Sequence, residues 1–209
     1  MKFSIMNNLA RYIVINQNSR RFLMSIKGTQ TEKNLLLSFM GESQARNKYT
    51  YFAKKAKDEG YVKISQIFEE TATQESVHAK SFFKYLEGGD VEVTCAFPAG
   101  VIGTTLENLK AAAAGEHHEH TSMYPEFAAI AEKEGFSRIA HLWKSVAVAE
   151  KHHEARYQDF IKDLEAGTLF KQEEKVGWRC LKCGYVHEGT SAPNKCPACS
   201  HEQGWFEKM

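Results

Sequence analysis

No stretch of this 209-residue chain approaches the ~20 consecutive apolar residues that a membrane-crossing helix requires. Net charge is nearly absent as well. The 27 Lys and Arg against 26 Asp and Glu leave +1, which gives no reason to expect nucleic acid or an anionic membrane as partner. Acid is missing altogether from residues 1–27, which carry Lys2, Arg11, Arg20, Arg21 and Lys27. Their longest apolar run, Tyr12 to Ile15, is too short for a secretory signal. These residues are expected to be a basic extension outside the fold: a tail or an upstream start ahead of Met24, with an Arg-rich organelle presequence as the alternative. The expected location is the cytoplasm, or an organelle matrix if the presequence reading holds. Cysteine is scarce, five in all, and Cys95 belongs to no motif; it reads as a small buried residue.

What is present in quantity is helical periodicity. Ile139, Leu142, Val146, Glu150, His153, Tyr157, Phe160 and Leu164 step by three and four, so all fall on one helix face. A carboxylate and an imidazole therefore stand where leucines belong. Seventy-five residues earlier, Ile64, Ile67, Thr71, Glu75, His78, Phe82 and Tyr85 repeat the stripe. Each copy opens on a similar turn, Glu59-Gly60-Tyr61 and Glu134-Gly135-Phe136. A single Glu-x-x-His is usually a surface ion pair. Two copies in phase with an apolar stripe point inward, while His152 falls off the stripe and faces solvent.

The preceding helices supply more acid. Glu42 lies in the line Leu35, Phe39, Glu42, Arg46, Tyr49, and Glu116 and Glu119 in the line Leu109, Ala113, Glu116, Glu119, Met123. Glu42 precedes Glu75 by 33 residues and Glu116 precedes Glu150 by 34, so the repeat is a whole helix pair. Five carboxylates in one interior need cations to balance them, and two divalent ions suffice. One Glu from each of two helices with Glu-x-x-His from the others is the ligand pattern of ferritin-like di-iron or di-manganese bundles. Mixed oxygen and imidazole donors suit iron or manganese better than calcium, without excluding zinc.

The expected all-α bundle has helices over about 31–58, 63–87, 104–133 and up to 164, with residues 90–103 as a long crossover. Pro125 is expected to kink the third helix. A linker of about 165–177 leads to Cys180-x-x-Cys183 and Cys196-x-x-Cys199, a four-thiolate metal signature. The spacing fits structural zinc or an electron-carrying iron, and disulfides are the weaker alternative. The layout is thus an extension (1–27), a bundle (28–167) and a small four-cysteine domain (168–209).

Over about residues 24–209 the chain resembles the rubrerythrins. The resemblance is carried by Gly41-Glu-Ser-Gln-Ala-Arg-Asn-Lys-Tyr-Thr-Tyr-Phe52, Gln74-Glu-Ser-Val-His-Ala79, Phe97-Pro-Ala-Gly-Val-Ile-Gly-Thr104 and Ala149-Glu-Lys-His-His-Glu154. It implies a ferritin-like four-helix bundle with two non-haem irons and a rubredoxin-like C-terminal domain holding one iron on Cys180, Cys183, Cys196 and Cys199. It further implies that Glu75 and Glu150 bridge the irons, that Glu42 and Glu116 are terminal, and that His153 is a fixed ligand. His78 and Glu119 would exchange at one iron, and Tyr49 and Tyr124 would support the carboxylates. The tract Glu116-His-His-Glu-His120 departs from the family's aromatic-containing version; its histidines 117, 118 and 120 read as solvated, with adventitious metal as the alternative. The implied activity is reduction of hydrogen peroxide to water in oxidative-stress defence. Electrons would come from NAD(P)H through rubredoxin or a reductase, and the protein would be a homodimer or higher homo-oligomer. The rivals are a ferroxidase or iron-storage protein and a non-catalytic metal sensor or scaffold with a zinc ribbon.

Overall fold

The computed structural model describes residues 24–209, so most of the basic extension lies outside the described residues. The bundle is formed by α1 (Gln30–Asp58), α2 (Val62–Phe83), α3 (Thr105–His118), α4 (Tyr124–Lys133) and α5 (Ser137–Ala166). α3 and α4 are one continuous rod joined by a π turn, Glu119–Met123, so the bundle has four helical rods.

Local sequence sets the helix ends. Thr29 caps α1 by accepting from the Glu32 amide, and Thr104 forms a capping box with Glu107 at the start of α3. Gly167 closes α5 in the left-handed region, φ +67°. Two caps come from far away. The Glu59 carboxylate, just past α1, accepts from the amide and hydroxyl of Thr105 (2.8 and 2.5 Å). Glu134, just past α4, accepts from the amides of Gln30 and Thr31 and the hydroxyl of Thr31. Each half of the duplicated bundle thus caps the other.

Several boundaries differ from expectation. α2 ends at Phe83 rather than near residue 87. Glu87 instead accepts from the Ser25 hydroxyl (2.6 Å) and the Ile26 amide (3.1 Å). Ile26 is buried with Leu35, Phe82, Tyr124 and Trp143, so packing begins ahead of residue 28. The third rod does not break at Pro125; it leaves α geometry just before it, in the π turn Glu119–Met123. Proline takes the first turn of α4, where its fixed φ suits the helix. Residues 90–104 form no regular element, as a crossover should, but Cys95 within them is exposed rather than buried. This stretch runs over the bundle's outside.

The expected linker is mostly strand. β1 (Lys171–Cys180) pairs antiparallel with β2 (Val186–Ser191) and with β3 (Phe206–Lys208), giving the order β2-β1-β3. Trp178, Phe206 and Ala192 fill a small core beside the cysteines. This unit docks on its own bundle. Phe170 stacks on Tyr61 (centroids 6.3 Å apart, planes at 9°), and Lys63 pairs with Glu207 at 2.7 Å.

Two apolar clusters flank the middle of the bundle. One holds Tyr49, Phe52, Ile64, Phe68, Leu109 and Tyr157; the other holds Leu35, Phe82, Tyr124, Ile139 and Trp143. Each buried aromatic or aliphatic side chain contributes ~1.5–3 kcal/mol. That packing holds together a bundle whose centre is charged.

Candidate metal centres

Between those clusters lie two interlocking tetrads. Glu42, Glu75, His78 and Glu150 form one; Glu75, Glu116, Glu150 and His153 form the other. Within each, one donor atom per residue lies within 4.8 Å of all the rest. Glu75 and Glu150 belong to both. His78 Nδ1 stands 3.0 Å from Glu75 and 2.9 Å from Glu150. His153 Nδ1 stands 3.2 Å from Glu75, 2.7 Å from Glu150 and 3.6 Å from Glu116. The two rings lie 5.9 Å apart, roughly parallel.

The donor chemistry fits two divalent cations. Glu42, Glu75, Glu116 and Glu150 are 0–1% exposed, and Glu42 Oε2, Glu75 Oε1, Glu116 Oε2, both Glu150 oxygens and His153 Nδ1 have no hydrogen-bond partner. Leaving so many buried acceptors orphaned costs several kcal/mol unless cations take them. Without metal, the imidazoles carry the compensating charge. Burial opposes protonation of His78 and His153, but the surrounding carboxylates outweigh it and hold both well above the usual histidine range. Glu42 and Glu116 are pushed up by burial and by their acidic neighbours. Glu75 is also desolvated, yet the two adjacent histidines hold it below the carboxylate range.

Around the tetrads the duplication is crossed. Tyr49 donates to Glu116 at 2.5 Å, and Tyr124 donates to Glu42. Both phenols are fully buried, which pushes their ionisation well above the ordinary range, helped by nearby carboxylates. They stay protonated as fixed donors.

The duplication fails in two places. From Glu42 to Tyr49 is seven residues, but from Glu116 to Tyr124 is eight. The π turn absorbs the extra residue and brings in Glu119, which has no counterpart in the first half. Glu119 belongs to neither tetrad. Its carboxyl is held well above the usual range by burial and by the charges of Glu42 and Glu116. The second failure is Gln74, whose Oε1 accepts from His153 Nε2 at 2.9 Å. The equivalent position before Glu150 is Ala149, and among the described residues His78 Nε2 has no such tether. Gln74 is half-buried and off the ligand stripe, so nothing in the periodicity marks it; its only signal is adjacency to Glu75.

Of the expected solvated histidines, His117 and His118 are exposed, but His120 is not. Its side chain is 12% exposed and bonds Glu154.

The four cysteines form a second site. Cys180 and Cys199 sulfurs lie 3.8 Å apart, and Cys183 and Cys196 3.7 Å. A disulfide needs about 2.05 Å, so that alternative is overturned. A tetrahedral ion with metal–sulfur bonds of about 2.3 Å would place its ligands about 3.8 Å apart. The knuckles match: the Gly184 amide donates to Cys180 O (2.9 Å) and the Ser200 amide to Cys196 O (2.8 Å). Gly184 and Ser200 both sit at positive φ, +79° and +61°.

Comparison with known proteins agrees with both sites. The family model described as Rubrerythrin matches residues 33–161, and the one described as Rubrerythrin, rubredoxin-like domain matches residues 178–207. The rubrerythrin of Nitratidesulfovibrio vulgaris is 57% identical over 187 residues, covering 90% of this chain and 98% of that protein. That of Porphyromonas gingivalis is 54% identical, covering 88% and 92%. Among solved structures, nigerythrin in a mixed-valence state superposes with TM-score 0.58 at 30% identity, over 93% of this chain and 96% of that one. Mycobacterium tuberculosis bacterioferritin shares the fold alone, with TM-score 0.56 at 16% identity, over 65% and 86%.

Proposed function

The chain belongs to the rubrerythrin family, and from its di-iron bundle and rubredoxin-like site we propose that it reduces hydrogen peroxide to water. Glu75 and Glu150 would bridge the irons, Glu42 and Glu116 would cap them, and His78 and His153 would complete the set. Cys180, Cys183, Cys196 and Cys199 would hold the third iron. When bound, the bundle irons supply the two electrons that splitting peroxide requires, and the thiolate iron supplies a one-electron relay from an NAD(P)H-linked donor.

The chain's own part is to position ligands and handle protons. Hydrogen peroxide needs two electrons and two protons to become two waters. Glu119, pushed up by burial and by the neighbouring acids, would be the carboxyl that hands on a proton beside the tetrads. Tyr49 and Tyr124 keep theirs, fixing one oxygen of Glu116 and of Glu42 while the other stays available. Gln74 holds His153 in one orientation. His78, with no tether on Nε2 and more exposed (15% against 6%), would be the ligand able to yield its place to Glu119. Such an exchange would trade a neutral donor for an anion. The observation carrying this reading is the asymmetry itself: one tethered histidine, one free one, and an extra carboxylate that the first half lacks.

The test is stopped-flow oxidation of the anaerobically reduced, iron-loaded protein by peroxide and, separately, by oxygen. Rapid oxidation by peroxide and slow oxidation by oxygen is the expected result. Faster oxidation by oxygen with iron accumulating would make the protein a ferroxidase. The variants His78→Ala and Glu119→Ala should slow peroxide turnover with the fold intact; unchanged turnover in both would remove the exchange.

A further inference from the structure

On the outside of the same helices, three side chains converge that the tetrads do not use. His117 Nδ1 lies 3.2 Å from each oxygen of Glu154, and His120 Nε2 lies 2.6 Å from Glu154 Oε2. The imidazole rings are 5.3 Å apart with planes at 80°, so two ring nitrogens approach one carboxylate from different directions. One donor atom from each residue lies within 4.8 Å of the others.

The placement follows from the inner site. His117 follows Glu116, His120 follows Glu119, and Glu154 follows His153. One step along a helix turns a side chain by about 100°, so the residues after three inner groups form a second cluster on the adjoining face. That cluster spans the end of α3, the π turn and α5. His118, in the same tract, makes no part of it and is exposed.

We propose that His117, His120 and Glu154 form a third metal site, taking one divalent first-row transition ion such as ferrous iron or zinc. Two imidazoles and one carboxylate are a sufficient face for such ions, with the remaining positions left to water. Bonds of about 2.0–2.2 Å to nitrogen and oxygen set neighbouring donors somewhat over 3 Å apart at tetrahedral angles. His117, at 3.2 Å, is close to that spacing; His120, at 2.6 Å, must open from its hydrogen bond by roughly 0.7 Å or more. The side-chain exposures, 60% for His117, 20% for Glu154 and 12% for His120, leave an open approach on the His117 side. An ion here pins the π turn to α5 directly behind Glu119.

Equilibrium dialysis against Zn2+ of protein holding only the irons of its bundle and four-cysteine sites, two and one per chain, with iron measured in the same sample, tests the site. One added zinc per chain with no iron lost is expected. That zinc should be absent from the double variant His117→Ala/His120→Ala and from Glu154→Gln, and retained in His118→Ala. Zinc binding should also slow amide exchange across Glu119–Met123. The proposal is overturned if no zinc is added, if it is added only as iron leaves, or if it survives both loss variants. Glu154→Gln, which keeps the side-chain size, decides the matter should the double variant fail to fold. These outcomes do not depend on the reaction at the di-iron site.

Discussion

The hydroxyl of Tyr49 crosses from one half of the duplicated bundle to the Glu116 carboxylate in the other, 2.5 Å away. Removing it in Tyr49→Phe leaves a buried carboxylate oxygen without its donor. The metal-free protein should lose ~1–3 kcal/mol in denaturant unfolding. A midpoint equal to the parent's would mean that Glu116 finds another donor.

Gln74 should matter to one metal position and not the other. In Gln74→Ala the His153 ring loses the acceptor on Nε2, and affinity at that position should fall ~10–100-fold. Competition with a chelator would show two unequal release steps in place of near-coincident ones. Coincident release in the variant would show that Gln74 does not orient the ligand.

The crossed caps make stability depend on acid. Glu134 and Glu59 are partly desolvated, but their hydrogen bonds to Thr31 and Gln30, and to Thr105, hold both below the ordinary 4.5. Their contribution is complete above that unfolded value and is lost as pH falls through the lower folded one. Glu134→Gln and Glu59→Gln should each cost about 1 kcal/mol at neutral pH and flatten the acid limb of the stability curve. An acid limb with the parent slope in both variants would contradict the capping role.

Gly204 lies so close to the bundle that a Cβ there would collide with the Gly60 carbonyl oxygen. Gly204→Ala should therefore loosen the small domain while leaving its four-cysteine site able to bind metal. Faster proteolysis near residues 167–170 with unchanged iron–thiolate absorbance is the expected pair of results. Parent-like cleavage would show that the docking adapts.

Glu75, His78, Glu150 and His153 are legible in the sequence because an ionisable residue on an apolar stripe is costly to bury and so marks a ligand. The four cysteines are legible from their spacing alone. The 33- and 34-residue spacings already contain the extra residue of the π turn, but one added residue reads equally well as a loop difference. Thr31 and Thr105 give no sign of their capping partners. Those carboxylates sit in the repeated turns, 103 and 46 residues away. Lys171–Gly177 reads as a linker because most of that strand is polar and exposed, with no apolar alternation to betray it. Cys95 departs from its expected burial because burial depends on which face of a crossover meets the bundle, and composition does not encode that.

The π turn has one more consequence. It interrupts the regular ladder of hydrogen bonds in a rod whose first-half counterpart, α1, has no such break. With Glu119 in its proposed role, stability and reactivity would make opposite demands on the same five residues. A thermostabilised version selected only for a higher melting temperature would be drawn toward straightening this rod. It would then lose the register that carries Glu119 towards the tetrads, leaving Gln74 as the remaining departure from the duplication.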